Sequence, residues 1–321
     1  MSNIPNIDSE MARALRESEA RVVGLEPCTE GIHPMSAVRE RYLFGRRYWN
    51  HDAPELHEVV NECVITPERN IPVRLYRPND NPRLPVLIYA HGGGFVVGNL
   101  DSHDKICRLL ALGSEAAVLA VDYALAPEYK FPRPLVEVQA VIDALPGFSD
   151  RFNLDIDRLA LGGDSAGASI SLGVALALRD EAPKTFACLK ALLLFYGNFG
   201  LGTNCESARL FGTPEYGLDL DKMAFYRASY VANEADHDNP RLNQLAADLT
   251  GMPRMLILAA GLDPLLDNAD ALAKRCEVFS VPHEVQVYPG VLHGFLHLTR
   301  TVAKARAAIG DGARTLRDAF G

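Results

Sequence analysis

The sequence has no apolar run approaching the roughly 18 residues that cross a bilayer; its longest, near residues 192–196 and 255–260, suit buried strands. It has no long basic block. Acidic residues outnumber basic ones by 41 to 32, a net charge of −9, which argues against nucleic acid or an anionic membrane as partner. The one local exception, Arg39, Arg41, Arg46 and Arg47, reads as a solvated face. Its six cysteines, at positions 28, 63, 107, 188, 205 and 276, form no CxxC pair and no finger spacing. Met1–Pro5 shows no basic stretch leading into an apolar core, so a cytoplasmic chain with reduced, buried thiols is expected. No G-x-G-x-x-G and no Gly-Lys-Ser/Thr occurs, and no repeat or low-complexity tract, which argues against nucleotide-phosphate cradles, solenoids and propellers. What is present is ordinary for a folded domain: 321 residues, 48% hydrophobic and 23% charged.

From about residue 58, short apolar runs alternate with amphipathic ones. Strands are expected over 58–65 and 73–76, paired antiparallel around a turn at 67–70. Further strands are expected over 85–90, 117–123, 158–161, 191–196, 255–259 and 284–288. Helices are expected over 102–113, 134–145, 166–180, 265–279 and 299–319, the last carrying the stripe Val302, Ala305, Ile309, Leu316 and Phe320. Continuous apolar strands separated by helices imply a mostly parallel sheet covered on both faces, an α/β fold. Residues 1–55 are helical and polar, and 197–250 separate two core strands by an unusual distance. Such insertions are commonly lids or binding elements, so a core of 56–196 and 251–321 under a discontinuous helical cap of 1–55 and 197–250 is expected.

Two glycine-rich motifs stand where chemistry could be carried. Gly163-Asp164-Ser165-Ala166-Gly167 follows a strand and opens a helix. A G-x-S-x-G turn there strains the serine backbone and lifts its Oγ above the sheet; the alternative is a glycine-rich helix start with no chemistry. His91-Gly92-Gly93-Gly94-Phe95 follows another strand and is the more specific pattern. Its glycines let backbone N–H groups converge on an oxyanion, or simply permit a tight loop that His91 pins. A serine nucleophile needs a base and an acid to orient that base. Of the downstream histidines, His293 lies past a strand and a turn at Pro289-Gly290, whereas His237 and His283 read as surface. His297 forms H-x-x-x-H with His293, yet no carboxylate completes a zinc motif. Asp263, before Pro264, is an acid or merely a helix cap; Asp267 is its rival.

These residues carry a resemblance. His91–Gly98, Asp101-Ser102-His103-Asp104, Val121–Glu128, Phe131-Pro132, Gly163–Gly167, Asp263–Asp267 and His293-Gly294-Phe295 resemble the hormone-sensitive-lipase-like family of α/β-hydrolases, of the bacterial carboxylesterase and acetyl esterase type. The resemblance implies the α/β-hydrolase fold, with a mostly parallel central sheet flanked by helices. It implies Ser165 as nucleophile, Asp263 as orienting acid, His293 as base, and the N–H groups of Gly93, Gly94 and Ala166 as oxyanion hole, with no cofactor and no metal. It further implies structural support from 122–128 and a possible homodimer through the edge strand at 284–288. Two departures stand out: Ala124 where the family usually has arginine, and Tyr196-Gly197-Asn198-Phe199-Gly200 where it more often has a proline-containing turn.

The expected activity is hydrolysis of short-chain carboxylic esters through an acyl-enzyme. An amidase, arylformamidase or lactonase would use the same triad. A non-catalytic small-molecule receptor, such as the plant hormone receptors that resemble this family but lack its histidine, is the third reading. Cap residues Phe199, Leu201, Leu210, Phe211, Tyr216, Phe225 and Tyr226 are candidates to line the pocket.

Overall fold

The computed structural model describes residues 4–22 and 34–321; Cys28 and part of the first expected cap segment lie outside them. Eight strands build one sheet: β1 (Glu58–Ile65), β2 (Asn70–Arg77), β3 (Leu84–Ala90), β4 (Ala117–Val121), β5 (Leu154–Asp164), β6 (Leu189–Phe195), β7 (Arg254–Leu262) and β8 (His283–Leu292). Their order is β1-β2-β4-β3-β5-β6-β7-β8. The β1–β2 and β2–β4 pairs are antiparallel and every pair from β4–β3 onward is parallel.

Strand periodicity divides the apolar runs between two buried layers. In β3, Val86, Ile88 and Ala90 face one layer while Leu87 and Tyr89 face the other; in β7, Met255, Ile257 and Ala259 alternate with Leu256, Leu258 and Ala260. This is why these runs are continuous rather than alternating: neither face meets water. The helix Ala166–Glu181 packs on the first layer and is buried all round from Ala166 to Leu178. The helices Asp104–Ser114 and Ala303–Phe320 cover the second, and the expected C-terminal stripe is buried there. The helix Ser9–Val22 also packs on this layer, through Met11 and Ala14, as does Trp49 from the helix Pro34–Asn50.

Several expectations need correction. Pro289-Gly290 is not a turn; β8 runs through it, which a sheet-edge strand tolerates because proline there forfeits no ladder bond. An unexpected short helix, Leu145–Phe152, precedes β5, which is far longer than the expected 158–161. Of the five described cysteines, all free, only Cys107 and Cys276 are buried, and Cys63 on the outer strand β1 is exposed. No helix among the described residues is long and apolar enough to cross a membrane.

Candidate active site

The expected nucleophile occupies the sharp turn between β5 and the helix that follows it. Ser165 has φ 53° and ψ −117°, a sparsely populated conformation held by its N–H donating to Phe195 O at 2.8 Å. A Cβ at Gly163 would stand 2.6 Å from the Gly167 carbonyl carbon, so the turn closes only with glycine there.

Asp263 and His293 come from the C-terminal ends of the two neighbouring parallel strands. Asp263 follows β7 and is fully buried; its Oδ1 accepts the Leu265 N–H at 2.8 Å in a local turn, but it does not cap the next helix, which begins at Leu266 with Leu265 as its N-cap. Its Oδ2 accepts His293 Nδ1–H at 2.7 Å. With that proton on Nδ1, Nε2 is left to accept the Ser165 hydroxyl, 2.8 Å away. The rival Asp267 lies inside the helix Leu266–Val278, and its Oδ2 accepts the Ser207 N–H at 2.9 Å. Strand direction explains the gathering: parallel strands present their C-terminal ends along one rim, where open α/β sheets build sites.

The glycine loop crosses the same rim. Gly93 and Gly94 adopt φ of 128° and 60°, conformations open to glycine but strained for other residues. The N–H groups of Gly93, Gly94 and Ala166 have no acceptor among the described residues, and all three residues line one cavity of about 810 Å³ together with Ser165 and His293. His91 anchors the loop from beneath. Its Nδ1 lies 2.9 Å from Gly92 O, its ring stacks on Tyr123 at 4.3 Å, and Tyr123 OH donates to His91 O at 2.6 Å.

Asp164, beside the nucleophile, ties turn and loop together. Its Oδ1 accepts from Tyr89 OH and Gly92 N–H, both at 2.9 Å, and lies 3.2 Å from His103 Nε2. Burial opposes its charge, but His103, His297 and the Tyr89 hydroxyl outweigh that and hold the carboxyl below the usual range. His103, Asp164 and His297 bring donor atoms within 4.8 Å of one another, yet Oδ1 is already committed to these partners, so an internal hydrogen-bonded cluster accounts for them. Asp164 and His103 both stand inside the motifs, but residue pattern alone assigns neither a role. The buried polar positions inside both motifs were the available signal.

Other expectations are revised. His237 lines the cavity instead of lying on the surface, 2.7 Å from an Arg227 nitrogen, and His283 is half-buried. Among the seven cap candidates, only Leu201 and Tyr226 line the cavity. Phe199 is turned into the core because its N–H is held by Asn268 Oδ1 at 3.0 Å, while Leu210 and Phe225 are exposed and Phe211 packs against Tyr216. The 196–200 departure therefore forms a turn in which Tyr196, Asn198 and Gly200 face the cavity; the Tyr196 ring meets His293 edge-on at 5.0 Å. Ala124, without an arginine side chain, donates its N–H to Glu137 Oε2 at 2.8 Å, and Glu137 pairs with Arg69 and Arg133.

The four-arginine group is not a uniformly solvated face. Arg41 and Arg47 are exposed, but Arg39 clasps Glu128 and donates to the Val96 and Ala126 carbonyls, each at 2.9 Å. Arg46 lines the cavity. A helix shows different sides at successive positions, and a cluster in sequence is split accordingly.

Two buried histidines, His91 and His297, predict acid lability. Burial, then the charge of His103, lowers His91 from 6.5 to about 3, and burial, then Arg46, lowers His297 well below its usual value. The unfolded chain therefore takes up protons below pH 6.5 that the fold refuses, and stability falls as pH drops from there. Asp122 opposes this. Burial raises its carboxyl to about 6, so it binds a proton in the fold first and adds stability between about pH 6 and 4. The net is about one proton, or roughly 1.4 kcal/mol per pH unit. Urea midpoints should fall between pH 6 and 4.5, and less steeply for His91→Gln. A flat wild-type profile would contradict the burial argument.

Residues 87–297 fit the family model described as the alpha/beta hydrolase fold. The chain belongs to that family. Within it, the chain falls in the hormone-sensitive-lipase-like group anticipated from the motifs. It is 39% identical over 278 residues to an acetyl esterase of Salmonella paratyphi B, covering 86% of this hydrolase and 84% of the relative. A Pyrobaculum calidifontis esterase superposes with a TM-score of 0.85 at 31% identity, covering 90% of this chain and 94% of its own. An ester-hydrolase from the metagenome of Lake Arreo, complexed with a bipyridine phosphonate derivative, does so at 0.88 and 33%, covering 98% and 99%. The hydrolase is a carboxylic-ester hydrolase.

Proposed function

We propose that the protein is a serine carboxylesterase acting on short-chain esters through an acyl-enzyme, with Ser165, His293 and Asp263 as its triad. The observation that carries this reading is the continuous chain Ser165 Oγ–His293 Nε2, 2.8 Å, and His293 Nδ1–Asp263 Oδ2, 2.7 Å, at the cavity wall.

In this mechanism Ser165 Oγ bonds to the ester carbonyl carbon while its proton passes to His293 Nε2. The carbonyl oxygen becomes an oxyanion facing the unengaged N–H groups of Gly93, Gly94 and Ala166. The carbon–oxygen bond to the alcohol then breaks, and the alcohol leaves with the proton from His293. Water repeats the sequence on the acyl-enzyme and releases the acid. Asp263 keeps its charge, fixes the tautomer and supports the imidazolium. Segments 1–55 and 197–250 serve as the cap in this reading. Its support is that Tyr42 on the helix Pro34–Asn50 and Tyr226 on Leu220–Tyr230 both line the cavity.

The preference for short acyl chains is supported by the acetyl esterase relative and by the Tyr226 ring lying against Gly94. A p-nitrophenyl ester series from acetate to decanoate should peak at two to four carbons, and a matched ester, lactone and anilide set should favour the ester. A maximum at ten carbons would overturn the chain-length assignment, and faster anilide cleavage the ester assignment.

A further inference from the structure

The cavity wall carries a cation with no carboxylate partner among the described residues. Arg46 faces the cavity from the helix Pro34–Asn50, one turn beyond Tyr42, with its guanidinium 4.7 Å from the centre of the Tyr42 ring. Among the described residues no carboxylate lies within ion-pair distance of it. The other charged groups of the wall are already engaged or stand at the rim. Lys222 pairs with Asp219 at 3.0 Å, Arg227 donates to the His237 ring, Asp164 is committed to Tyr89, Gly92 and His103, and Asp221 is exposed.

Arg46 is also close to the chemistry. Its charge acts on Tyr196 and His297, and Tyr196 is the residue whose ring meets His293. A half-buried guanidinium loses hydration, and the ring and hydroxyl of Tyr42 restore only part of that. A carboxylate would restore the rest, because two parallel N–H···O bonds in a poorly hydrated wall are far stronger than in water. A chain with net charge −9 that turns an unbalanced cation towards its own cavity is suited to an anionic guest.

We propose that Arg46 binds a carboxylate carried by the ester, so that the preferred substrates are short esters with a free carboxylate. These are half-esters of dicarboxylic acids or O-acyl derivatives of hydroxy acids. The proposal rests on the esterase reading above and adds to it a substrate class.

The test compares each anionic ester with its neutral amide isostere: monomethyl succinate against methyl succinamate for a charge on the acyl side, and acetoxyacetate against acetoxyacetamide for the alcohol side. At low salt the wild-type protein should favour the anion by about tenfold or more in kcat/KM in one pair, and that pair identifies the side. Adding 0.5 M NaCl should shrink the ratio. Arg46→Met should bring it to one or below, and Arg46→Lys should retain part of it. A wild-type preference for the amide in both pairs overturns the proposal, as does an unchanged ratio in Arg46→Met. The wild-type comparison decides even if a variant fails to fold. If p-nitrophenyl acetate and all four esters are inert, the esterase reading itself fails. If they are cleaved with ratios near one, only the carboxylate assignment does.

Discussion

Ser165→Ala should lower turnover of a short ester by about a million-fold while leaving the fold intact. The size of the loss follows from the geometry. Among the described residues the hydroxyl is the only group hydrogen-bonded to His293 Nε2, so without it His293 has no nucleophile to deprotonate at that point except water. The residual rate would come from the cavity and the unengaged N–H groups of Gly93, Gly94 and Ala166. The variant should fold because Ser165 makes its structural contact through the backbone, its N–H to Phe195 O, and alanine keeps that bond. Single-turnover assays with active-site titration by a fluorophosphonate, alongside a thermal melt, are the measurements. A loss of only about tenfold, or fluorophosphonate labelling that survives in the variant, would remove Ser165 from its role.

The second large effect is expected from Asp263→Asn, about ten-thousand-fold in kcat with little change in KM. The two carboxylate oxygens have separate tasks: Oδ1 holds the Leu265 N–H and Oδ2 holds His293 Nδ1–H. An asparagine keeps its oxygen on the Leu265 N–H, because an amide NH2 there would meet another donor. Its NH2 therefore faces His293 Nδ1, which must become an acceptor, and the ring proton moves to Nε2. A ring protonated at Nε2 cannot take the Ser165 proton. Asp267→Asn is the control. Asp267 accepts the Ser207 N–H at the start of the helix Glu206–Phe211, so its loss should be felt in stability near that helix and change kcat less than about threefold. A larger kcat loss from Asp267→Asn than from Asp263→Asn would reverse the assignment.

The contrast between these two aspartates shows how far the site was legible in the sequence. Local periodicity favours Asp263, which stands at a strand's end, over Asp267, which falls inside the following helix. The same local reasoning points to His293, although through an expected turn at Pro289-Gly290 that is strand in the structure. A strand and a turn both deliver the next residue to the rim, so His293 reaches it either way. Phe199 shows the opposite case. Nothing local distinguishes it from Leu201, yet the Asn268 side chain, 69 residues away, takes its N–H and turns its ring inward.

The sequence by itself determined the α/β architecture and the serine, aspartate and histidine that meet above it. Runs apolar at every position require a sheet covered on both faces, and strained or glycine-rich turns are written in residue identities. Only the tertiary structure decided what surrounds that trio. Asp164 as the clasp between turn and loop, Arg39 as the tie that holds the helix Pro34–Asn50 to Glu128, and Arg46 as a cation of the cavity wall without a carboxylate partner among the described residues all depend on helix phase and on contacts between distant segments. Those contacts are set by which face of an element packs inward, and a charged or polar residue reads the same in sequence whether its face meets solvent or a cavity.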